Sequence, residues 1–118
     1  MGGSVRPRPL AGIGAACAAA AVALSAYAVH GAEGEAQMRL QTAAMYAFGH
    51  GVALAVLATT VSRRTGRLAL AILLLGMLLF CGSLAGNALL GWPTAAAPFG
   101  GVLLIAGWLL LAIDFLRR

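Results

Sequence analysis

Thr42, Tyr46 and His50 recur at intervals of four residues within QTAAMYAFGHGVALAV, a stretch otherwise built from small, aliphatic and aromatic side chains. At i, i+4 and i+8 they share one face of a helix. An imidazole in such a setting has two uses: it titrates near neutral pH and can bind a proton, or it stays neutral and hydrogen-bonds a neighbour. A second polar set, Ser83 and Asn87, follows Gly76 and Phe80 at helical spacing in LLFCGSLAGNALLG, and His30 stands alone after SAYAV. Each of these groups lies in or beside an apolar run, where it must find a partner or a wet cavity. His30, Thr42, Tyr46, His50, Ser83 and Asn87 are therefore expected to form one polar column descending from the outer membrane surface, with His50 near the midplane.

The elements that position them follow from composition. Of 118 residues, 62% are hydrophobic and 9% charged, whereas soluble domains average roughly 45–50% apolar and about 25% charged. A bilayer core about 30 Å thick needs roughly 20 apolar residues of helix. Runs at about 10–29, 41–61, 68–90 and 97–116 meet that length. Lipid cannot satisfy an open backbone, and runs such as LALAILLLGMLLF lack the alternation of a barrel strand, so the expected fold is an all-α membrane protein. The chain is read as a single domain, a bundle of four transmembrane helices.

All eight basic residues are arginines, and they sit at the ends of these runs. Arg6 and Arg8 precede the first, Arg63, Arg64 and Arg67 fill the second connection, and Arg117 and Arg118 close the chain; only Arg39 lies in the first connection. Seven against one is expected to place both termini in the cytoplasm by the positive-inside rule. The same placement argues against nucleic acid as the partner of a chain with net charge +5. AYA at residues 26–28 resembles a signal-peptidase site, but the run from Leu10 to Val29 is long for a signal segment, so the first helix is expected to be retained. Cys17 and Cys81 are expected at depths about 10 Å apart, as two free thiols.

Small residues are the adhesive of membrane helices. The first helix, rich in Ala and Gly, is expected at the centre of the bundle. Gly82 and Gly86 form a GxxxG pair, and Gly100, Gly101 and Gly107 follow Pro98 in the fourth run; these five are expected to pack helices together, within one chain or between two copies. Asp114 is expected to pair with Arg117 and Arg118 at i+3 and i+4. It also shares a face with Gly100 and Gly107, which would turn it toward neighbouring helices.

SAYAVHG, QTAAMYAFGH, LLFCGSLAGNALLG and APFGGVLLIAGW, in this order, resemble the small bacterial membrane proteins of the DUF423 family. Departures from its pattern are Ala85, where an aromatic often stands, Ala97, where a threonine often precedes the proline, and Tyr27-Ala28-Val29. The resemblance implies a four-helix inner-membrane protein and supplies no reaction. Zinc-ligand spacing, a nucleophile elbow and a phosphate loop are all missing from the sequence, and neither histidine has a carboxylate beside it in an apolar run. No catalytic, metal or cofactor role is therefore expected. The expected role is non-catalytic, in lipid packing or as an accessory to a larger membrane assembly, with membrane lipids and a homo-oligomer or larger assembly as partners. The alternative is a small transporter or channel in which His50 binds a proton.

Overall fold

The computed structural model describes residues 8–117; Arg6 and Arg118 lie outside them. Four helices account for most of this span: α1 Pro9–Gly31, α2 Gly34–Leu57, α3 Arg64–Leu90 and α4 Ala97–Leu116. All four are long and apolar enough to cross a membrane, and no strand occurs among the described residues. Below, "upper" denotes the end that carries the α1–α2 and α3–α4 connections. "Lower" denotes the end with the α2–α3 connection and both described chain ends.

Helix α2 begins seven residues before the apolar run does. Its first turns, Gly34 to Leu40, are polar but made largely of good helix formers, and Glu35 and Arg39 face each other at i, i+4. At its lower end the Thr59 and Thr60 hydroxyls donate to the carbonyls of Val56 and Leu57, which closes the helix four residues before the run ends. Gly91, at φ +72°, terminates α3 in the left-handed conformation, and its N–H bonds the Asn87 carbonyl. Pro98 opens α4, where a missing N–H costs nothing.

The helices pack in chain order: α1 on α2, α2 on α3, α3 on α4. Among the described residues the backbone of α1 approaches neither α3 nor α4, and the backbones of α2 and α4 stay apart. The result is a shallow layer, 51 × 32 × 18 Å, against about 10–12 Å for a single helix. The expectation that α1 lies at the centre is corrected. It occupies an edge, and α3 supplies half of the core cluster through Ala69, Leu70, Leu73, Met77 and Cys81. Smooth Ala-rich surface allows close approach but does not specify how many neighbours approach. Cys17 and Cys81 are both free thiols.

Two glycine crossings set the spacing. A Cβ on Gly14 would sit 2.6 Å from the Gly51 carbonyl oxygen, and one on Gly51 would sit 2.6 Å from that of Gly14. Gly76 and Gly100 mirror this between α3 and α4, where a Cβ on Gly100 would lie 2.5 Å from the Phe80 nitrogen. Gly107 packs on Leu73 lower down. The remaining expected packing glycines behave differently. Gly82 faces open space, Gly101 has only the Phe80 ring at 4.0 Å, and Gly86 is covered by the Trp92 ring rather than by a helix. The reason is rotational: the face of α3 turned to α4 carries Leu73, Gly76 and Phe80, and Gly82 lies about 120° from Gly76 around the helix at 3.6 residues per turn.

Candidate functional site

His50 lies seven residues before the end of α2 and Trp108 eight before the end of α4, so the parallel helices α2 and α4 bring them to one level. The Trp108 indole N–H donates to His50 Nε2 at 3.0 Å. His50 Nδ1 stands 2.8 Å from the Tyr46 carbonyl oxygen, one turn earlier in its own helix. An indole N–H can only donate and a carbonyl can only accept. Nε2 therefore carries the lone pair and Nδ1 the proton, which fixes a neutral imidazole in a single tautomer. The Tyr46 ring stacks on His50 at 5.9 Å between centroids and 12° between planes, and meets Phe80 at 4.8 Å and 60°. His50 and Trp108 rings lie 5.7 Å apart. One chain of rings thus spans the gap between α2 and α4 across the face of α3.

The expected polar column does not form as one unit. Tyr46 and His50 are adjacent, but Tyr46 supplies its carbonyl and ring to the histidine rather than its hydroxyl. At the upper end Asn87 Oδ1 accepts from Arg39 Nη1, and its Nδ2 donates to the Trp92 carbonyl, tying α2, α3 and the α3–α4 connection together. His30 lies on the far side of α2, in a separate groove of about 480 Å³ shared with Ser25 and Gln41. Ser83 is buried in α3 with its hydroxyl unpaired among the described residues, and Thr42 is half-buried on α2. Helix depth was a sound guide to level, but level alone leaves open which side of the layer each residue faces.

Trp108 is the residue that analysis of the polar positions missed. Its signal was present: an indole N–H placed inside an apolar span needs an acceptor, and counting residues from the lower helix ends brings it level with His50.

A second polar cluster occupies the lower end. Asp114 is buried, 1% exposed, with Arg63 Nε 3.9 Å from its Oδ1. A Cβ on Gly66 would lie 2.8 Å from Asp114 Oδ2, so the carboxylate rests on the first turn of α3, where helix N–H groups favour negative charge. Arg63 Nη1 also donates to the Arg117 carbonyl at 3.2 Å. Asp114 is thus a buried carboxylate that meets Arg63, where a solvated or interfacial one was expected; the expected pair with Arg118 lies outside the described residues. The face shared with Gly100 and Gly107, which turns toward α3, decides its direction.

Substitution at His50 gives a direct stability test. His50→Ala removes the acceptor of Trp108 and should cost about 0.6 kcal/mol, the average of hydrogen bonds between membrane helices, and at most about 1.7 kcal/mol. His50→Gln keeps an acceptor and should lose less; thermal unfolding in detergent separates the two.

No solved structure matches the chain. The sequence pattern of the family described as "Protein of unknown function (DUF423)" matches residues 24–101, a span that runs from the second half of α1 into the first turn of α4 and includes Tyr46, His50 and Phe80. That span is well over half of the sequence, and the chain belongs to the DUF423 family.

Proposed function

We propose that this is a non-catalytic multi-pass protein of a bacterial inner membrane, with both termini cytoplasmic and a role in packing lipids or supporting a larger membrane assembly. The observation that carries this reading is the state of His50. Both ring nitrogens are committed, one to the Tyr46 carbonyl and one to the Trp108 indole. A proton carrier needs a nitrogen that can take up and release a proton, and protonating Nε2 here would set N–H against N–H. Among the described residues His30, Thr42, Ser83 and Asn87 make no hydrogen bond to His50, and Tyr46 meets it through its carbonyl and ring, which supports a structural histidine.

Two assays separate the readings. Affinity purification from membranes should recover a stable partner or a defined lipid complement, and proteoliposomes holding the purified protein should show no pH-driven flux above empty vesicles. Flux that disappears in His50→Gln would replace this reading with the transporter. For orientation, alkaline phosphatase fused after Arg118 should be inactive, because the arginine distribution holds that end in the cytoplasm. Strong phosphatase activity would invert the topology.

A further inference from the structure

Helices α1 and α3 run parallel, and both begin at the lower end. Arg8 stands one residue ahead of α1 and Arg67 three residues into α3, so the two reach one level on either side of the lower end of α2. There they line a notch of about 170 Å³ whose remaining wall is mainly apolar, with Leu10, Val61 and Leu70 in it. Helix α4 contributes nothing to the lining. The volume falls below the about 300–1,000 Å³ typical of sites for whole small molecules, and suits a single head group.

Three observations select the occupant. The first is charge. Among the described residues the lower end carries Arg8, Arg63, Arg64, Arg67 and Arg117 against one carboxylate, Asp114, which belongs to α4 and meets Arg63. The Arg67 guanidinium has no hydrogen bond or ion pair among the described residues. Arg8 gives one N–H to the Thr59 carbonyl at 3.1 Å, which fixes its side chain over the end of α2. A guanidinium carries five N–H donors in a fork that matches phosphate oxygens in pairs, so both arginines have donors to offer.

The second is depth. Arg8 lies two residues before the apolar run that begins at Leu10, and Arg67 one residue before Leu68. Both backbones therefore sit within about 3 Å of the hydrocarbon edge, inside a head-group layer about 5–7 Å deep. Helical side chains lean toward the helix N-terminus, which carries the Arg67 guanidinium out of hydrocarbon and into that layer. The third is the division of the lining. Leu10 and Leu70 lie further along their helices than Arg8 and Arg67, so the notch is cationic on its outer side and apolar toward the membrane interior. A free anion matches only the first half, whereas an amphiphile matches both.

We propose that the notch holds the phosphate of an anionic phospholipid between Arg8 and Arg67, with the glycerol and first acyl carbons against Leu10, Val61 and Leu70. A zwitterionic lipid offers the same phosphate but brings its own cation toward the arginines, so a head group of net negative charge is selected. This names the lipid class for the lipid-packing role and rests on that reading.

The test uses the purified full chain in dodecyl maltoside, where no charged bilayer surface contributes. Native mass spectrometry counts the lipid bound during titration with dioleoylphosphatidylglycerol or dioleoylphosphatidylcholine. One saturating phosphatidylglycerol per chain is expected, held more tightly than phosphatidylcholine. Arg67→Gln, which breaks no side-chain bond among the described residues, should weaken phosphatidylglycerol about fivefold, the equivalent of about 1 kcal/mol per basic residue at an anionic surface. Arg67→Lys keeps the charge and should retain most of the affinity. Arg64→Gln removes the same charge from the same end but outside the notch, and should leave binding nearly unchanged. Equal affinity for the two lipids, which needs no variant, overturns the site, as do equal losses in Arg67→Gln and Arg64→Gln. Displacement by millimolar inorganic phosphate overturns the lipid assignment in favour of a free anion. Thermal unfolding in lipid-free detergent confirms that each variant is folded. A failed titration removes the notch alone, because the co-purification and flux assays read the wider role without it.

Discussion

Gly100→Leu is expected to separate α3 from α4 and to destabilise the protein by about 3 kcal/mol, the upper part of the range for overpacking. The size follows from what the new side chain meets. A Cβ at this position would sit 2.5 Å from the Phe80 nitrogen and 2.8 Å from the Gly76 carbonyl oxygen, both backbone atoms. A flexible side chain could swing aside, but a helix backbone must move as a whole. The dispersion contacts of the crossing are then lost, and in lipid these are most of what holds two helices together. Gly101→Leu, one residue on, meets nothing closer than the Phe80 ring at 4.0 Å and should leave the melting temperature nearly unchanged. Equal effects of the two substitutions would show that the α3–α4 crossing does not run through Gly100.

Arg63→Ala should cost about 2–3 kcal/mol. Removing one partner of a buried ion pair typically costs about 3–5 kcal/mol because the other charge stays buried. The lower figure applies because Asp114 still rests on the first turn of α3 and because the Arg63 side chain is 46% exposed. The same argument predicts non-additivity. With Asp114→Asn in the background there is no charge left to strand, and Arg63→Ala should cost under about 1 kcal/mol, a coupling that a double-mutant cycle measures directly. Additive losses would mean that the guanidinium contributes through its bond to the Arg117 carbonyl instead.

Legibility in the sequence followed the kind of physics involved. The four spans were plain because the bilayer imposes a length, and a run such as Leu68 to Leu90 has few other solutions. Helix starts were less plain where solvent rather than lipid surrounds the chain: the polar opening of α2 is helical through propensity and the Glu35–Arg39 pair, which an apolar window does not register. Packing was hardest. Gly12 and Gly14 are alike in type and two residues apart, yet Gly14 meets the Gly51 backbone and Gly12 meets nothing within 4 Å. Which glycine becomes a crossing depends on the rotation of two helices at once, and neither sequence segment contains that by itself. His50 shows the same division. Its need for a partner was apparent from its place in the chain, and the identity of that partner, 58 residues away, was set by the arrangement of three helices.

The packing of each helix on its immediate predecessor has a consequence for biogenesis. Among the described residues every backbone approach between helices joins neighbours in synthesis, and the His50–Trp108 link, which skips α3, forms when α4 arrives last, so each newly inserted segment finds its docking surface already in the bilayer. Loop closure is correspondingly short-range, the regime in which chains assemble quickly. The same layout makes stability nearly one-dimensional, a row of pairwise joints as in repeat arrays. Partial loss should then begin at an end, with α1 unzipping from α2 while the α3–α4 pair remains in place.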